Sequence, residues 1–555
     1  MKKIDYEATD SRILTFLEGL WDDAFNYRKD TNFGKNGIRW YEQYAGLHWD
    51  SSKVRKGKAA IVLNQTGATI EDIFSEITDS PPLFDTFAEE EKFQDEAETL
   101  KDTFNNFLWK NSGMDIEQQL SIKSSLIVGS GHIRTECNPD TRILKSRFIS
   151  PFSCFPAPGA TRMSEMPYYI QARLVPRILL QENIGDEIND IRKTRDIAYE
   201  FLPDMEREAA KGLVAGLKDF GRQISHGLGF ISGRMEGMSD QDNLLLREYW
   251  VKDLTRNKAG ERVYPTWRYY ARVEDVVLKT PPSIWQYPFI PIIKTDDYVT
   301  EGYWGRGEVE WMESPQYLVN KFISQICNYM DMVANPPVKA EKGAGVPENW
   351  ITGAGRILHI NTGFFDRVDF MRVPALPSEF LALLSTLFKI IDDITGQHAG
   401  MPVRSATQAA IFSESQQQRI KPKVRNMENG LLEWAEQMKE YIKQHWAKER
   451  KIVFRAPSGE IVRKSFNDKQ VLDTLNMSIT TGSTMASNRL TRMTQIAQIP
   501  ELDLLTRLET MNFPNAKQVV QRVEAKKGEI AQLTMQLTQM VQENEGLKKQ
   551  LMNFR

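Results

Sequence analysis

Between Gln316 and His445 the sequence alternates helix signals with hard stops, and this pattern restricts the fold more than any other feature of the chain. Leu318, Phe322, Ile326, Tyr329 and Val333 recur every three or four residues, the spacing that places side chains on one helical face. Ser314-Pro315 is the expected start, because a serine can accept from the free N–H groups of a first turn and proline there forfeits no hydrogen bond. Asn335-Pro336-Pro337 is the expected stop, since proline lacks the N–H and its ring collides with the preceding turn. A Gly- and Pro-rich segment follows, with short strands expected at Arg356–Ile360 and Val368–Val373. The next helix is expected over Glu379–Thr395, capped by Ser378 and ended by Gly396.

After a loop, Ser413 and Gln416 have the spacing of a capping box. The helix behind them carries Ile420, Val424, Met427, Leu431, Trp434, Met438, Ile442 and His445 on one face. From Ser413 to Glu449 it would extend about 55 Å at the α-helical rise, with a kink expected at Pro422.

The remainder is less strictly punctuated. Up to about Asn111 the pattern is helical, with Ile13, Phe16, Leu17, Leu20 and Trp21 in one stretch and Phe93, Ala97, Leu100, Phe104 and Phe107 in another. Strand-like runs stand at Ile143–Ile149 and Tyr168–Leu174, and return between Leu245 and Ile293. Further strands are expected at Ile452–Phe454, Glu460–Lys464 and Leu475–Thr480. Residues 180–245 are strongly charged and read as an insertion. At the end, Ala516, Val519, Val523, Lys526, Ile530, Leu533, Leu537, Met540, Asn544, Leu547 and Leu551 fill alternating heptad positions, an apolar seam that calls for a partner helix. That partner is either another copy of the chain or a hairpin within it. The fold class is therefore α+β and mostly helical.

Composition excludes several functions. At 555 residues the chain needs more than one hydrophobic core, and its aromatic content speaks against disorder. Lys and Arg total 71 against 74 Asp and Glu, so no net field draws the chain onto nucleic acid. A protein that lets DNA slide past it would be slowed by dense phosphate pairing, so this balance suits a conduit. Cys137, Cys154 and Cys327 form no CxxC and are expected as reduced core residues. The opening MKKIDYEATDSR has no apolar signal segment, and no stretch reads as membrane-spanning. There is no Walker A sequence, HExxH, GxSxG or EF-hand loop, so no enzyme, cofactor or metal is expected. Gly302-Tyr303-Trp304-Gly305-Arg306-Gly307 lacks the Lys-Ser/Thr pair of a phosphate loop and fits a turn with close backbone approach. The acidic pairs Asp22-Asp23 and Asp296-Asp297 are expected on solvated faces.

The order of these elements resembles that of bacteriophage portal proteins, especially those of short-tailed phages. Gly305–Val309 followed by Gln316–Asn320 resembles the family's entry to its first stem helix. Asn335-Pro336-Pro337 resembles the entry to a clip, and Gly396–Gln418 a tunnel loop before a kinked spine helix. Met477–Ser483 with Asn488-Arg489 resembles the turn before the crown, and Arg39-Trp40-Tyr41, Trp49 and Ala60–Asn64 the entry to the wing. The resemblance implies a wing at 1–308, stem helices at 309–335 and 377–396, a clip at 336–376 and a tunnel loop at 397–412. The long helix and returning wing strands would fill 413–482, and a crown with a C-terminal helical barrel 483–555.

It implies further a ring of about twelve copies at a capsid vertex, assembled in host cytoplasm and passing double-stranded DNA. Its partners would be the large terminase subunit, head-tail adaptor and tail proteins, and capsid and scaffolding proteins. Lys389, Asp392, Asp393, Arg404, Ser405 and Gln408 would line the channel. Lys339, Lys342, Trp350, Arg356, Phe364 and Phe365 would offer the clip surface. Leu384, Leu387, Ile391, Ile530, Leu533 and Leu537 would meet neighbouring copies. The competing readings are a scaffolding or tail protein assembled through the heptads, and a nucleic-acid enzyme whose site has no recognised motif.

Overall fold

The computed structural model describes residues 11–49, 58–138, 141–177, 180, 243–258, 260–274, 276–278, 285–347, 358–396, 406–446, 450–455, 461–466, 474–480, 483–484, 519–520, 523 and 534–544. Their helices are α1 (Ser11–Asp30), α2 (Asn32–Tyr44), α3 (Gln65–Ile77), α4 (Gln94–Asp102), α5 (Met114–Val128), α6 (Glu308–Ala334), α7 (Ser378–Thr395) and α8 (Ala406–His445). The strands are β1 (Phe84–Ala88), β2 (Ser130–Cys137), β3 (Leu144–Ile149), β4 (Cys154–Pro156), β5 (Tyr168–Pro176), β6 (Asn243–Lys252) and β7 (Trp267–Val273). They continue with β8 (Val276–Leu278), β9 (Ile292–Asp296), β10 (Val338–Ala340), β11 (Val368–Phe370), β12 (Arg450–Arg455), β13 (Ile461–Phe466) and β14 (Leu475–Ile479). The chain forms two compact units, one of residues 1–75, 116–135 and 147–430, the other of 76–115, 136–146 and 431–555.

The first unit contains a five-stranded antiparallel sheet in the order β4-β5-β6-β7-β8. Successive side chains of a strand point to opposite faces, and β6 obeys this rule. Leu245 and Tyr249 join Leu17 and Trp21 of α1 in one core, whereas Leu244 and Leu246 join Ala271 and Val273 in another. Buried Glu248 is held by Arg134, Arg173 and Tyr269. Burial pushes its carboxyl up, but the two guanidiniums outweigh that and hold it down at about 2.

An extended segment before α3 runs along α6. The amides of Ala59, Ile61 and Leu63 donate to the side chains of Asn328, Ser324 and Asn320, each at 2.9 Å. Gln316 completes the series by donating to Leu63 O at 2.7 Å and accepting from Thr66 N. Two residues of extended chain advance about 6.6 Å and four residues of helix about 6.0 Å, so every second amide meets every fourth helical side chain. This match lets one polar stripe of a helix replace a neighbouring strand.

The second unit packs Phe84 of β1 against Phe104, Trp109 and Trp434. β1 pairs antiparallel with β14, and β12 with β13. Lys439 of α8 donates to Leu475 O at 2.9 Å in this unit.

Several expectations need correction. α6 begins at Glu308, so Ser314 and Pro315 lie within it rather than capping it. α7 begins at Ser378 with Pro377 in the cap position and no side-chain cap, although Gly396 ends it in the left-handed region as expected. α8 begins at Ala406, so Ser413 and Gln416 are interior helical residues and 406–412 of the expected tunnel loop are helical, while 397–405 lie outside the described residues. Residues 358–360 are not a strand; the partner of β11 is β10. β1 and β2 were absent from the sequence reading. Of the cysteines, Cys154 is buried, but Cys137 and Cys327 are partly exposed. The charged insertion and most heptads lie outside the described residues. Within the heptads, residues 534–544 are helical with Met535, Leu537, Met540 and Val541 exposed.

Replacing Asn320, which is buried and bonded to Leu63, by alanine strands the Leu63 amide and is expected to cost about 1–3 kcal/mol. Denaturant unfolding measures the loss, and hydrogen exchange is expected to rise at residues 59–66 first.

Candidate functional site

α6 and α7 form an antiparallel pair. Phe322 meets Phe380 edge-on, while seven residues further along α6 Tyr329 donates to Pro374 O at 2.7 Å. Leu387 and Ile391 are buried inside the chain. A second set of apolar residues is exposed, including Tyr317, Leu318 and Met330 on α6 and Leu381, Leu383 and Ile390 on α7. Leu387 and Ile391, expected to meet another copy, thus pack within the chain itself. Leu384 is half-buried and Leu537 exposed, while Ile530 and Leu533 lie outside the described residues.

Lys389 and Asp393 are exposed and Asp392 is half-buried, all on α7 with the three- and four-residue spacing of one helical face. Gln408 falls in the helical backbone of α8; Arg404 and Ser405 lie outside the described residues.

Between the two helices stands a two-stranded ribbon, with Val338 opposite Phe370 and Lys339 opposite Asp369. Lys339 pairs with Asp369 at 3.3 Å, and Arg367 with Glu341 at 2.7 Å. Lys342 is exposed. Phe364 is half-buried, with the Arg367 guanidinium 5.8 Å from its ring centre. Phe365 belongs to the short helix before β11, whereas Trp350 and Arg356 lie outside the described residues.

The root of α6 is fixed by charges that sequence reasoning missed. Lys423 of α8 bonds both Asp297, just after β9, and Glu308, the first residue of α6. All three side chains are at most 3% exposed. Asp297 therefore corrects the expectation of a solvated Asp296-Asp297 pair. Tyr298 donates to Glu308 at 3.0 Å, and the Lys423 ammonium lies 3.7 Å from the centre of its ring. Arg419, one helical turn before Lys423, donates to Tyr298 Oη and to the Asp393 carbonyl of α7, each at 3.3 Å. Asn426, in the next turn, donates to Asp297 O at 3.0 Å. One face of α8 thus grips the start of α6 and the end of α7.

Burial, and repulsion from Glu308, push the Asp297 carboxyl up to about 7 against the attraction of Lys423. Burial alone would lower the Lys423 ammonium, but the two carboxylates outweigh it and raise it above the ordinary lysine range. The glycines in 302–307 serve the same corner. A Cβ on Gly305 or Gly307 would run into the backbone of Gly129 or Ile127, so the expected turn with close backbone approach is what stands there.

The described residues contain no group of His, Cys, Asp or Glu able to hold a metal ion, and no helix long and apolar enough to cross a membrane. The site is a scaffold of paired helices on a charged root. A family model described as Phage P22-like portal protein matches residues 35–553. The chain belongs to the P22-like phage portal protein family. No curated protein matches it. Portal proteins are structural rather than catalytic components of the virion, placed at a capsid vertex as homo-oligomeric rings. The family match decides against the enzyme reading and against a scaffolding or tail protein.

The sequence held a signal for part of this portal root. Gln316, Asn320, Ser324 and Asn328 form a polar stripe at four-residue spacing on an otherwise apolar helix. No such signal marked Lys423, whose partner Asp297 is 126 residues away.

Lys423→Met leaves two carboxylates buried without their cation, and is expected to lower stability by about 3–5 kcal/mol. Equilibrium denaturation of the variant against the natural chain measures it.

Proposed function

We propose that this portal protein forms a ring of about twelve copies whose α6–α7 pairs stand side by side as the wall of a DNA channel. The observation that carries the reading is the exposed apolar surface on both helices of the pair. Tyr317, Leu318, Met330, Leu381, Leu383 and Ile390 are costly to leave in water and fit burial against the next copy. Homo-oligomeric assembly is what the family implies, and the second copy is the occupant of that surface.

On this reading the face of α7 bearing Lys389, Asp392 and Asp393 borders the channel, together with Arg404 and Ser405 before α8 and Gln408 in its first turn. Repeated carboxylates repel phosphate and keep double-stranded DNA centred, while isolated cations supply weak, exchangeable contacts. Near-equal numbers of acidic and basic residues accord with sliding rather than holding. The β10–β11 ribbon, with Lys339, Lys342 and Phe364 and with Trp350, Arg356 and Phe365 in the same segment, is the docking surface. It receives the large terminase subunit during packaging and a head-tail adaptor or tail protein afterwards. Capsid and scaffolding proteins meet the wing, and the C-terminal heptads assemble as a barrel above the crown.

Sedimentation tests the assembly. The natural chain is expected to form a closed oligomer, and deletion of residues 516–555 to leave it intact. Leu381→Lys with Ile390→Lys is expected to leave the chain folded by circular dichroism but to hold it as single copies. Full assembly of that double variant contradicts the proposed wall.

A further inference from the structure

The corner where β9, α6 and α8 meet holds more negative than positive charge in direct contact. Lys423 is bonded to Asp297 and to Glu308, so two carboxylates share one ammonium out of reach of water. The far oxygens, Asp297 Oδ2 and Glu308 Oε2, are both buried and accept no hydrogen bond. The surrounding charges are committed elsewhere. Arg419 of α8 serves Tyr298 and the Asp393 carbonyl, Asp296 of β9 is paired with Lys294, and Glu310 of α6 with Arg306. Tyr298, the remaining titratable group against the cluster, is raised by burial and keeps its proton to donate to Glu308. Asn426 bonds the backbone of Asp297 rather than its carboxylate.

A buried pair of carboxylates with one cation and two bare oxygens carries both an uncompensated charge and unmet hydrogen bonds. A single added proton removes the surplus charge, neutralising one carboxylate and turning one of its oxygens into an O–H donor. Because both carboxylates bond the same ammonium, the charge of each bears on the protonation of the other. We infer that Asp297 and Glu308 hold one proton between them, and that this proton sets how firmly α8 grips the root of α6. The device is independent of what the helix pair lines, since it rests on the corner alone.

Its sign follows from linkage. The closed corner binds one proton more than an opened one, in which each carboxylate is hydrated and ordinary, so the grip weakens as pH rises from the usual carboxylate range through the raised value of Asp297. The constant for opening α6 at Glu308–Gln316 is expected to increase about tenfold per pH unit between about pH 5 and 7 and then to level off. Hydrogen exchange of the full chain, divided by the intrinsic exchange rate at each pH, reads this constant. Glu308→Gln leaves one carboxylate opposite one ammonium and is expected to abolish the slope; Asp297→Asn is expected to do the same. An opening constant independent of pH in the natural chain overturns the inference, even if neither variant folds. So does a slope that survives in Glu308→Gln.

Discussion

Lys423 can occupy the interior because two carboxylates meet it there, and those carboxylates stand where the chain leaves the sheet and enters α6. Isolated charges in a dry interior cost many kilocalories per mole, so neither the ammonium nor the carboxylates can be buried without the opposite charge. Their union therefore specifies a geometry more than it adds stability. α8 must lie with Arg419, Lys423 and Asn426 toward the corner after β9, and α6 must begin at Glu308. Arg419 carries the constraint to α7 by donating to the Asp393 carbonyl in its last turn, where a cation also complements the helix dipole. The helix pair is thus positioned from its root rather than along its length.

The polar ladder extends that control part-way along α6. Gln316, Asn320, Ser324 and Asn328 tie the helix to the extended segment, and Ala59–Asn328 is the last rung among the described residues. The last turns of α6, residues 330–334, are exposed, as are Phe370 and Met371 in the ribbon. A chain anchored at one end and left apolar at the other is incomplete by itself. The proposed ring supplies what completes it, with copies set side by side covering each other's exposed flanks.

Much of this was legible in the sequence because periodicity and breakers report local physics. The stop at Asn335-Pro336 and the αL glycine at 396 follow from breaker chemistry, and the buried stripe from Ile420 to Ile442 from spacing. Helix starts were misplaced where capping chemistry was trusted over tertiary contact. Ser314 and Ser413 have the right side chains for caps, yet Glu308 is drawn into helix by Lys423, and the α8 backbone is helical from Ala406. The charged root was invisible for a different reason. Asp297, Glu308 and Lys423 are unremarkable residues in three separate segments, and only the fold brings them together. The same limit applies on α7, where apolar spacing identifies candidate positions but not which of them the chain itself buries.

The account stands or falls on which way the helix pair faces in the assembled particle. A reconstruction of the purified ring by electron cryomicroscopy, at a resolution that separates side chains, measures this directly. The account predicts a closed ring in which residues 378–396 lie nearest the axis, Lys389 and Asp393 point into the opening, and Leu381, Leu383 and Ile390 are covered by the adjacent copy. A ring whose opening is bordered by other segments, with α7 turned away from the axis and those leucines still exposed, would contradict it.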